Sequence, residues 1–154
     1  MRATNTTAVA ERFDAPTRAN VGFRLAKASQ RWNELLAEGF AAHGFPEVRP
    51  AFGSVLLPLF EEDGLRMGEI AARSRLSKQT MTSLVRRAAA AGLVRRVDDS
   101  TDARAARIEL TPRARCFAPV AAEVVRDLET RVGERLSTRQ KAALQPALRV
   151  IAEL

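Results

Sequence analysis

Residues 76–111 read LSKQTMTSLVRRAAAAGLVRRVDDSTDARAARIELT, and this stretch decides the fold. Ser77 is a favoured helix N-cap, and Gly92 is the residue type that most easily takes the left-handed conformation that ends a helix. The apolar residues between them recur at helical spacing. Two short runs of strand-forming residues follow, at about 93–98 and 106–110, joined by the polar loop DSTDARA. The order predicts a helix that runs into a basic β-hairpin.

The sequence before this stretch predicts further helices. Residues 1–15 are polar and aperiodic, which indicates a flexible tail. Apolar residues recur at intervals of three and four from residue 16 to about 43 and again over residues 49–61, as in amphipathic helices. A small strand is expected at 65–67 and a short helix at 69–74. These elements place a helix-turn-helix immediately before the hairpin.

Two more helices are predicted after the hairpin. Thr111 followed by Pro112 is a typical helix start, and Ser137 with Gln140 forms an S-x-x-Q capping box. The predicted fold is therefore mainly α, with a winged helix-turn-helix domain whose wing is a small β-hairpin. The predicted parts are a tail (1–15) and one domain (16–154), which consists of the winged helix-turn-helix (48–111) and flanking N- and C-terminal helices (16–45 and 112–154).

Basic residues are concentrated in one third of the chain. Residues 65–115 hold twelve of the 25 Lys and Arg residues but only five of the 18 Asp and Glu residues. Elsewhere the two signs balance, so the whole net charge of +7 lies in this segment. A localised basic block in a foldable sequence is typical of nucleic-acid binding, and a solvated basic surface without a partner is the alternative.

The helix that begins after Ser77 has one apolar and one polar face. Projection at 100° per residue groups Met81, Leu84, Val85 and Ala88 on the face expected to pack on the preceding helix. The other face is rich in amide, hydroxyl and guanidinium groups, which read base edges or contact phosphates in the major groove. The residues predicted to contact DNA from this helix are Ser77, Lys78, Gln79, Thr80, Thr82, Ser83, Arg86 and Arg87.

The hairpin carries a D-x-x-D-x-R pattern formed by Asp99, Asp102 and Arg104. Carboxylates in a short loop are expected to fix the arginines, and a fixed arginine at a hairpin tip suits the negative potential of the minor groove. We therefore predict DNA contacts at Asp102 and Arg104. The flanking residues predicted to meet phosphates are Arg95, Arg96 and Arg107.

The segment MGEIAARSRLSKQTMTSLVRRAAAAGLVRRVDDSTDARAARIELT resembles the MarR family of bacterial winged-helix transcription regulators. The chain departs from the usual family pattern at Pro112, Arg113 and Ala114, where a glycine is common, and in the AAAAG end of the helix. The resemblance implies a homodimer whose flanking helices interleave for dimerisation. It also implies a sequence-specific regulator that acts as a repressor and binds a pseudo-palindromic operator on double-stranded DNA.

The resemblance also implies release of DNA by a small aromatic or lipophilic effector. We expect an effector cleft to be bordered by Arg24, Trp32, Phe40, Phe52 and Phe60, with core packing as the alternative for the aromatic residues. Cys116, between nearby arginines, is expected to be buried and inert. Redox regulation through Cys116 is the alternative, although peroxide sensors of this family use a cysteine near the N-terminal helix.

Several function classes are disfavoured by the sequence. No candidate nucleophile is accompanied by a base, the chain has one His and one Cys, and no Gly-rich phosphate loop is present, so we predict neither an enzyme nor a metal or cofactor site. No apolar run approaches membrane-spanning length, which predicts a cytoplasmic protein. A DNA-organising protein that binds without sequence preference remains the alternative to a regulator.

Overall fold

The computed structural model describes residues 15–154, except for the side chains of residues 103 and 104. The predicted tail therefore lies almost wholly outside the described residues. The chain divides into two compact units, Met1–Trp32 and Asn33–Leu154. The elements in chain order are α1 (Val21–Ala42), a 3-10 turn (Pro50–Phe52), α2 (Gly53–Glu61), β1 (Leu65–Arg66), α3 (Met67–Arg73), α4 (Lys78–Ala90), β2 (Val94–Asp99), β3 (Asp102–Leu110), α5 (Pro112–Arg135) and α6 (Thr138–Ala152).

The predicted fold class is confirmed: the described chain is mainly helical, with a small antiparallel sheet. The helix starts at Ser77, Thr111 and Ser137 are also confirmed, since each side chain accepts a hydrogen bond from a backbone amide three residues on. Helix α1 begins at Val21 rather than near residue 16, after Asn20 accepts a hydrogen bond from the amide of Phe23 at 2.8 Å. No helix in residues 15–154 is long and apolar enough to cross a membrane.

The wing is longer than the sequence predicted. The loop DSTDARA was expected to separate the strands, but β3 already begins at Asp102, and only Ser100 and Thr101 lie between β2 and β3. The ladder continues to the pair Asp99–Asp102, with a register irregularity between Asp98 and Asp99. The Asp99 carboxylate accepts hydrogen bonds from the Thr101 amide at 2.9 Å and hydroxyl at 2.7 Å, which closes the turn.

The sheet has the strand order β1-β3-β2, and β1 pairs with β3 through only two residue pairs, Leu65–Ile108 and Arg66–Arg107. Apolar side chains from this sheet and from the surrounding helices form the core of the second unit. The largest fully buried side chains there are Leu56, Leu59, Ile70, Met81, Leu93, Ile108 and Val55. This core fixes the orientation of α4 and of the hairpin base.

Three helices end in one hydrogen-bonding pattern. After α1, α3 and α4, two successive amides return to carbonyls of the last helical turn, and the first of these amides belongs to a residue with positive φ. That residue is Gly44 after α1 (φ 85°) and Gly92 after α4 (φ 75°), but Arg75 after α3 (φ 52°). An arginine therefore occupies a position that favours glycine in the turn between α3 and α4.

Helix α6 differs from the others because it has no buried residue. Val132, near the end of α5, is 37% exposed. An apolar stripe along α6 is exposed too, at Leu144, Leu148 and Ile151. The single chain leaves this end of the molecule without a cover.

Candidate DNA interface

The faces of α4 match the predicted division. Met81, Val85 and Ala88 are buried and Leu84 is half-buried, and α4 packs on α3 and on the 3-10 turn. All the residues that were predicted to contact DNA from this helix are exposed, namely Ser77, Lys78, Gln79, Thr80, Thr82, Ser83, Arg86 and Arg87. The apolar face holds α4 in place while the polar face stays open to a partner.

Hydrogen bonds occupy part of that polar face. The Ser77 hydroxyl accepts from the Thr80 amide at 3.1 Å and lies 2.8 Å from the Thr80 hydroxyl, which fixes the start of α4. The Thr82 hydroxyl donates to the Lys78 carbonyl at 2.8 Å. Within residues 15–154, the side chains of Gln79 and Ser83 have no recorded partner. These two polar groups are thus the ones most available to a base edge.

The surface around α4 lacks negative charge. Residues 70–97 contain seven Lys and Arg residues and no Asp or Glu. Among the described side chains, the charged groups of Arg75, Lys78, Arg86 and Arg96 have no ion-pair partner, whereas Arg87 places its guanidinium carbon 5.9 Å from the centre of the Phe52 ring. Unneutralised cations on one surface attract a polyanion strongly.

At the base of the wing, one carboxylate holds two arginines. The side chain of Asp99 is fully buried, and its Oδ2 lies 2.7 Å from an Arg66 guanidinium nitrogen and 3.1 Å from Nε of Arg107. Arg66 and Arg107 are cross-strand partners, an arrangement of like charges that is unfavourable without a counter-ion. Hydrogen bonds from Thr101 and Arg66 hold the pKa of Asp99 far below its usual value. The carboxylate is therefore ionised and binds the wing to β1.

The predicted wing contacts have different surroundings. Arg107 also donates to the Gly64 carbonyl at 2.8 Å, and Arg95 pairs with its cross-strand partner Glu109 at 2.8 Å. Arg96 is exposed without a partner among the described residues. The backbone of Arg104 belongs to β3, but its side chain lies outside the described residues, so its minor-groove role stays a prediction. Asp102 is exposed, and its charge adds a smaller contribution to the raised pKa of Arg66, which is caused mainly by the hydrogen bond to Asp99.

The residues predicted to border an effector cleft are only partly accessible. Phe40 and Phe52 are buried, and the Phe40 ring packs edge-on against Phe117 with ring centres 4.8 Å apart. Phe60 is half-buried. In the first unit, Arg24 is exposed and Trp32 is half-buried. Core packing thus accounts for Phe40 and Phe52, and the effector role stays a prediction.

A cavity of about 290 Å³ lies between the end of α1 and the middle of α5, and none of the five predicted cleft residues lines it. It is lined by Leu35, Glu38, Gly39, Ala42, His43, Val124, Asp127, Leu128 and Arg131.

Cys116 is exposed, which corrects the expectation that it is buried. The buried positions of α5 are Ala114, Phe117, Val124 and Leu128, and Cys116 points about 100° away from that stripe. Its redox role stays a prediction.

Three residues with a place in the interface were missed. Asp99 was treated as part of a loop motif, and neither Arg66 nor Arg75 was assigned a role. The signal for Asp99 and Arg66 lies in three-dimensional pairing, because 33 residues separate them in sequence. For Arg75, the signal was local, since a residue just after a short helix and before an N-cap often needs positive φ.

Comparisons with known proteins identify relatives of the winged helix. Residues 55–105 match the model of the MarR family. The HTH-type transcriptional regulator TtmR of Methylorubrum extorquens is 46% identical over 61 residues, which are 40% of this chain and 31% of that protein. The chain thus matches about a third of the length of this curated relative. The resemblance to the MarR family is confirmed over the winged helix, and the relatives are regulators rather than enzymes, as predicted.

Solved structures agree over a longer range. The transcriptional repressor CouR, bound to a 23-mer DNA duplex, superposes with a TM-score of 0.73 at 25% identity, covering 90% of this chain and 99% of CouR. PcaV of Streptomyces coelicolor, in complex with its natural ligand, gives a TM-score of 0.74 at 20% identity, covering 90% of this chain and 96% of PcaV. A probable transcriptional regulator from Pseudomonas aeruginosa gives 0.74 at 23% identity, covering 86% and 97% of the two chains. The last two likenesses support the fold.

Proposed function

We propose that this chain, whose residues 55–105 match the MarR family model, is a transcriptional regulator that binds an operator in double-stranded DNA and represses transcription. The observation that carries the proposal is the surface of α4: a polar face in a segment with seven basic and no acidic residues. Gln79, Ser83 and Arg86 are proposed to read base edges. Lys78, Arg87 and Arg96 contact phosphates, with Arg95 and Arg107 at the flanks.

The division of the arginines supports this assignment. Arg86 and Arg96 have no carboxylate partner among the described residues, so binding a phosphate or a base costs them no internal ion pair. Arg107 keeps its bonds to Asp99 and Gly64 and contributes mainly a fixed positive charge. Arg104 is proposed to enter the minor groove and Asp102 to help position it.

A homodimer is part of the proposal. The stripe of Leu144, Leu148 and Ile151 on α6 has no cover within one chain, and exposed apolar stripes of this kind mark protein interfaces. A second copy of the chain would present the same stripe under two-fold symmetry. Two recognition helices would then read half-sites about one turn of DNA apart on a pseudo-palindromic operator.

Relief of repression by a small aromatic or lipophilic molecule, bound in a cleft that Phe60 helps to border, is proposed with it. PcaV, one of the structural neighbours, is described in complex with its natural ligand, which supports this part by analogy. Buried Phe40 and Phe52 would line such a cleft only after a rearrangement of the core.

A footprint on the DNA upstream of the protein's own gene tests the proposal, with affinities for the protected duplex and a random duplex measured by fluorescence anisotropy. We expect wild type to prefer the protected duplex by about a thousandfold or more. Arg86→Ala should lower that preference about tenfold to a hundredfold, as expected for the loss of an arginine that contacts a base. Arg104→Ala should weaken binding as well.

Equal affinity of wild type for both duplexes would indicate a DNA-organising protein instead. The dimer is tested separately by sedimentation of Leu148→Glu, which should shift the protein towards monomer. Val150→Glu, on exposed α6 surface outside the stripe, is the matched control and should sediment like wild type.

A further inference from the structure

The corner between α3 and α4 carries an arginine in an unfavourable conformation. Arg75 has φ 52°, and it is the one non-glycine residue with positive φ in the described chain. Its amide bonds to the Ala72 carbonyl at 3.2 Å, and the next amide, of Leu76, bonds to the Ala71 carbonyl at 3.0 Å. These two bonds end α3 and require the left-handed conformation at residue 75.

The same pattern occurs with glycine at the other two positions, Gly44 and Gly92. For an L-residue with a side chain, the left-handed region places Cβ too close to the following carbonyl oxygen. Glycine or asparagine would occupy this position at a lower cost. With arginine at this corner, the free protein is less stable than it would be with glycine or asparagine there. Such a backbone outlier points to a role in binding.

The Arg75 side chain makes no polar contact with the part of the chain that the structure describes. It is exposed, and its guanidinium has no hydrogen bond, ion pair or ring contact among the described residues. Arg73, two residues earlier, pairs with Glu62 instead. Arg73 and Arg75 thus border the same corner, but only the charge of Arg73 is neutralised by a carboxylate.

Arg75 also lies next to the proposed interface. It precedes the N-cap Ser77 by two residues, within the segment 70–97 that contains no acidic residue. The left-handed backbone fixes the direction in which its side chain leaves the corner. We propose that Arg75 binds a phosphate of the DNA backbone beside the recognition helix and so sets the position of α4 in the groove. This proposal rests on the proposed DNA-binding function.

The test uses substitutions that suit the backbone but remove the charge. Arg75→Gly and Arg75→Asn should unfold at the same urea concentration as wild type or at a higher one, because both residues tolerate positive φ. Both should bind DNA about threefold to tenfold more weakly, equally for the protected and random duplexes, since a phosphate contact carries no sequence information. The slope of log K against log salt should fall by about 0.9 for each subunit.

Two control variants distinguish the loss of a phosphate contact from a general loss of positive charge. Arg75→Lys keeps the cation and should keep the wild-type slope. Arg73→Gln removes a charge near the same corner, but one that Glu62 already neutralises, and should leave the slope unchanged.

The inference is overturned if Arg75→Gly retains the wild-type slope and affinity, or if Arg73→Gln reduces the slope as much as Arg75→Gly does. Wild type that does not bind either duplex would overturn the proposed function and this inference with it. Tight wild-type binding with an unchanged Arg75→Gly slope would overturn this inference alone.

Discussion

The arginines at the base of the wing and those around the recognition helix differ in what faces them. At the wing base, Arg66 and Arg107 share the buried carboxylate of Asp99. Around α4, Arg75, Arg86 and Arg96 face solvent, with no carboxylate between residues 70 and 97. Arginine thus joins two strands at the wing base, whereas around α4 its charged group remains available to bind DNA. The comparison predicts that substitutions at the wing base lower stability, while those around α4 lower DNA affinity without lowering stability.

The largest effect is expected for Asp99→Asn, which should lower both the urea midpoint and the DNA affinity, the latter about tenfold. Removing a negative charge would by itself strengthen binding to DNA. A loss of affinity would therefore show that Asp99 acts by holding Arg66 and Arg107 in place. Affinity at or above the wild-type value would contradict the role of the wing base, and circular dichroism at the binding temperature controls for unfolding.

The low pKa of Asp99 predicts how its contribution to stability depends on pH. Its pKa lies well below the ordinary value of 3.8, so its contribution to stability is complete above about pH 4 to 5 and is lost as the pH falls through the acid range. We expect the difference in urea midpoint between wild type and Asp99→Asn to be constant from pH 6 to 8 and to shrink below about pH 4. A difference that grows on acidification would contradict the ion pairs at the wing base.

A smaller effect is expected for Arg96→Gln, which belongs to the unpaired set. Affinity should fall about threefold for specific and random duplexes alike, and the salt slope should fall by about 0.9 per subunit. The urea midpoint should stay at the wild-type value because Arg96 makes no ion pair among the described residues. A shift of that midpoint together with an unchanged slope would place Arg96 in the structural set instead.

The smallest effect is expected for Arg113→Gln. Arg113 bonds to Glu47 and to the Gly44 carbonyl, each at 2.6 Å, and lies 3.9 Å above the Phe45 ring. Its loss should lower the urea midpoint slightly, since the pairs are partly exposed, and leave the DNA affinity within about twofold of wild type. A clear loss of affinity with an unchanged midpoint would contradict the comparison, because an arginine already paired with a carboxylate would then act in binding.

Local signals in the sequence predicted the elements that position the interface. Ser77, Gly92 and Ser137 fix helix ends through hydrogen bonds or backbone conformation within a few residues, and such signals can be read directly from sequence. The exposed face of α4 followed from periodicity. The extent of the wing did not follow from periodicity, because the turn is fixed by Asp99, whose ion pair with Arg66 joins residues 33 positions apart in the chain.

The contacts of individual side chains could not be predicted from the sequence either. Charge alone made Arg107 and Arg96 equivalent, yet Asp99 and Gly64 bind Arg107 and not Arg96. Cys116 was misjudged because the register of the buried stripe on α5 depends on what α5 packs against. Phe40 is aromatic like a ligand-binding residue, but its T-shaped contact with Phe117 makes it part of the core.

The wing is short beyond its junction with β1. Two residue pairs, Leu65–Ile108 and Arg66–Arg107, join β1 to β3, and beyond Arg107 the ladder between β2 and β3 has only two more pairs, Asp98–Ala106 and Asp99–Asp102. Two residues of β2 rise by about 7 Å, so a tilt of about 10° at the base would displace the pair Asp99–Asp102 by about 1 Å. A shift of about 1 Å is enough to break a hydrogen bond to a phosphate. Small angular changes at the Asp99 cluster would thus decide whether this end of the wing contacts DNA.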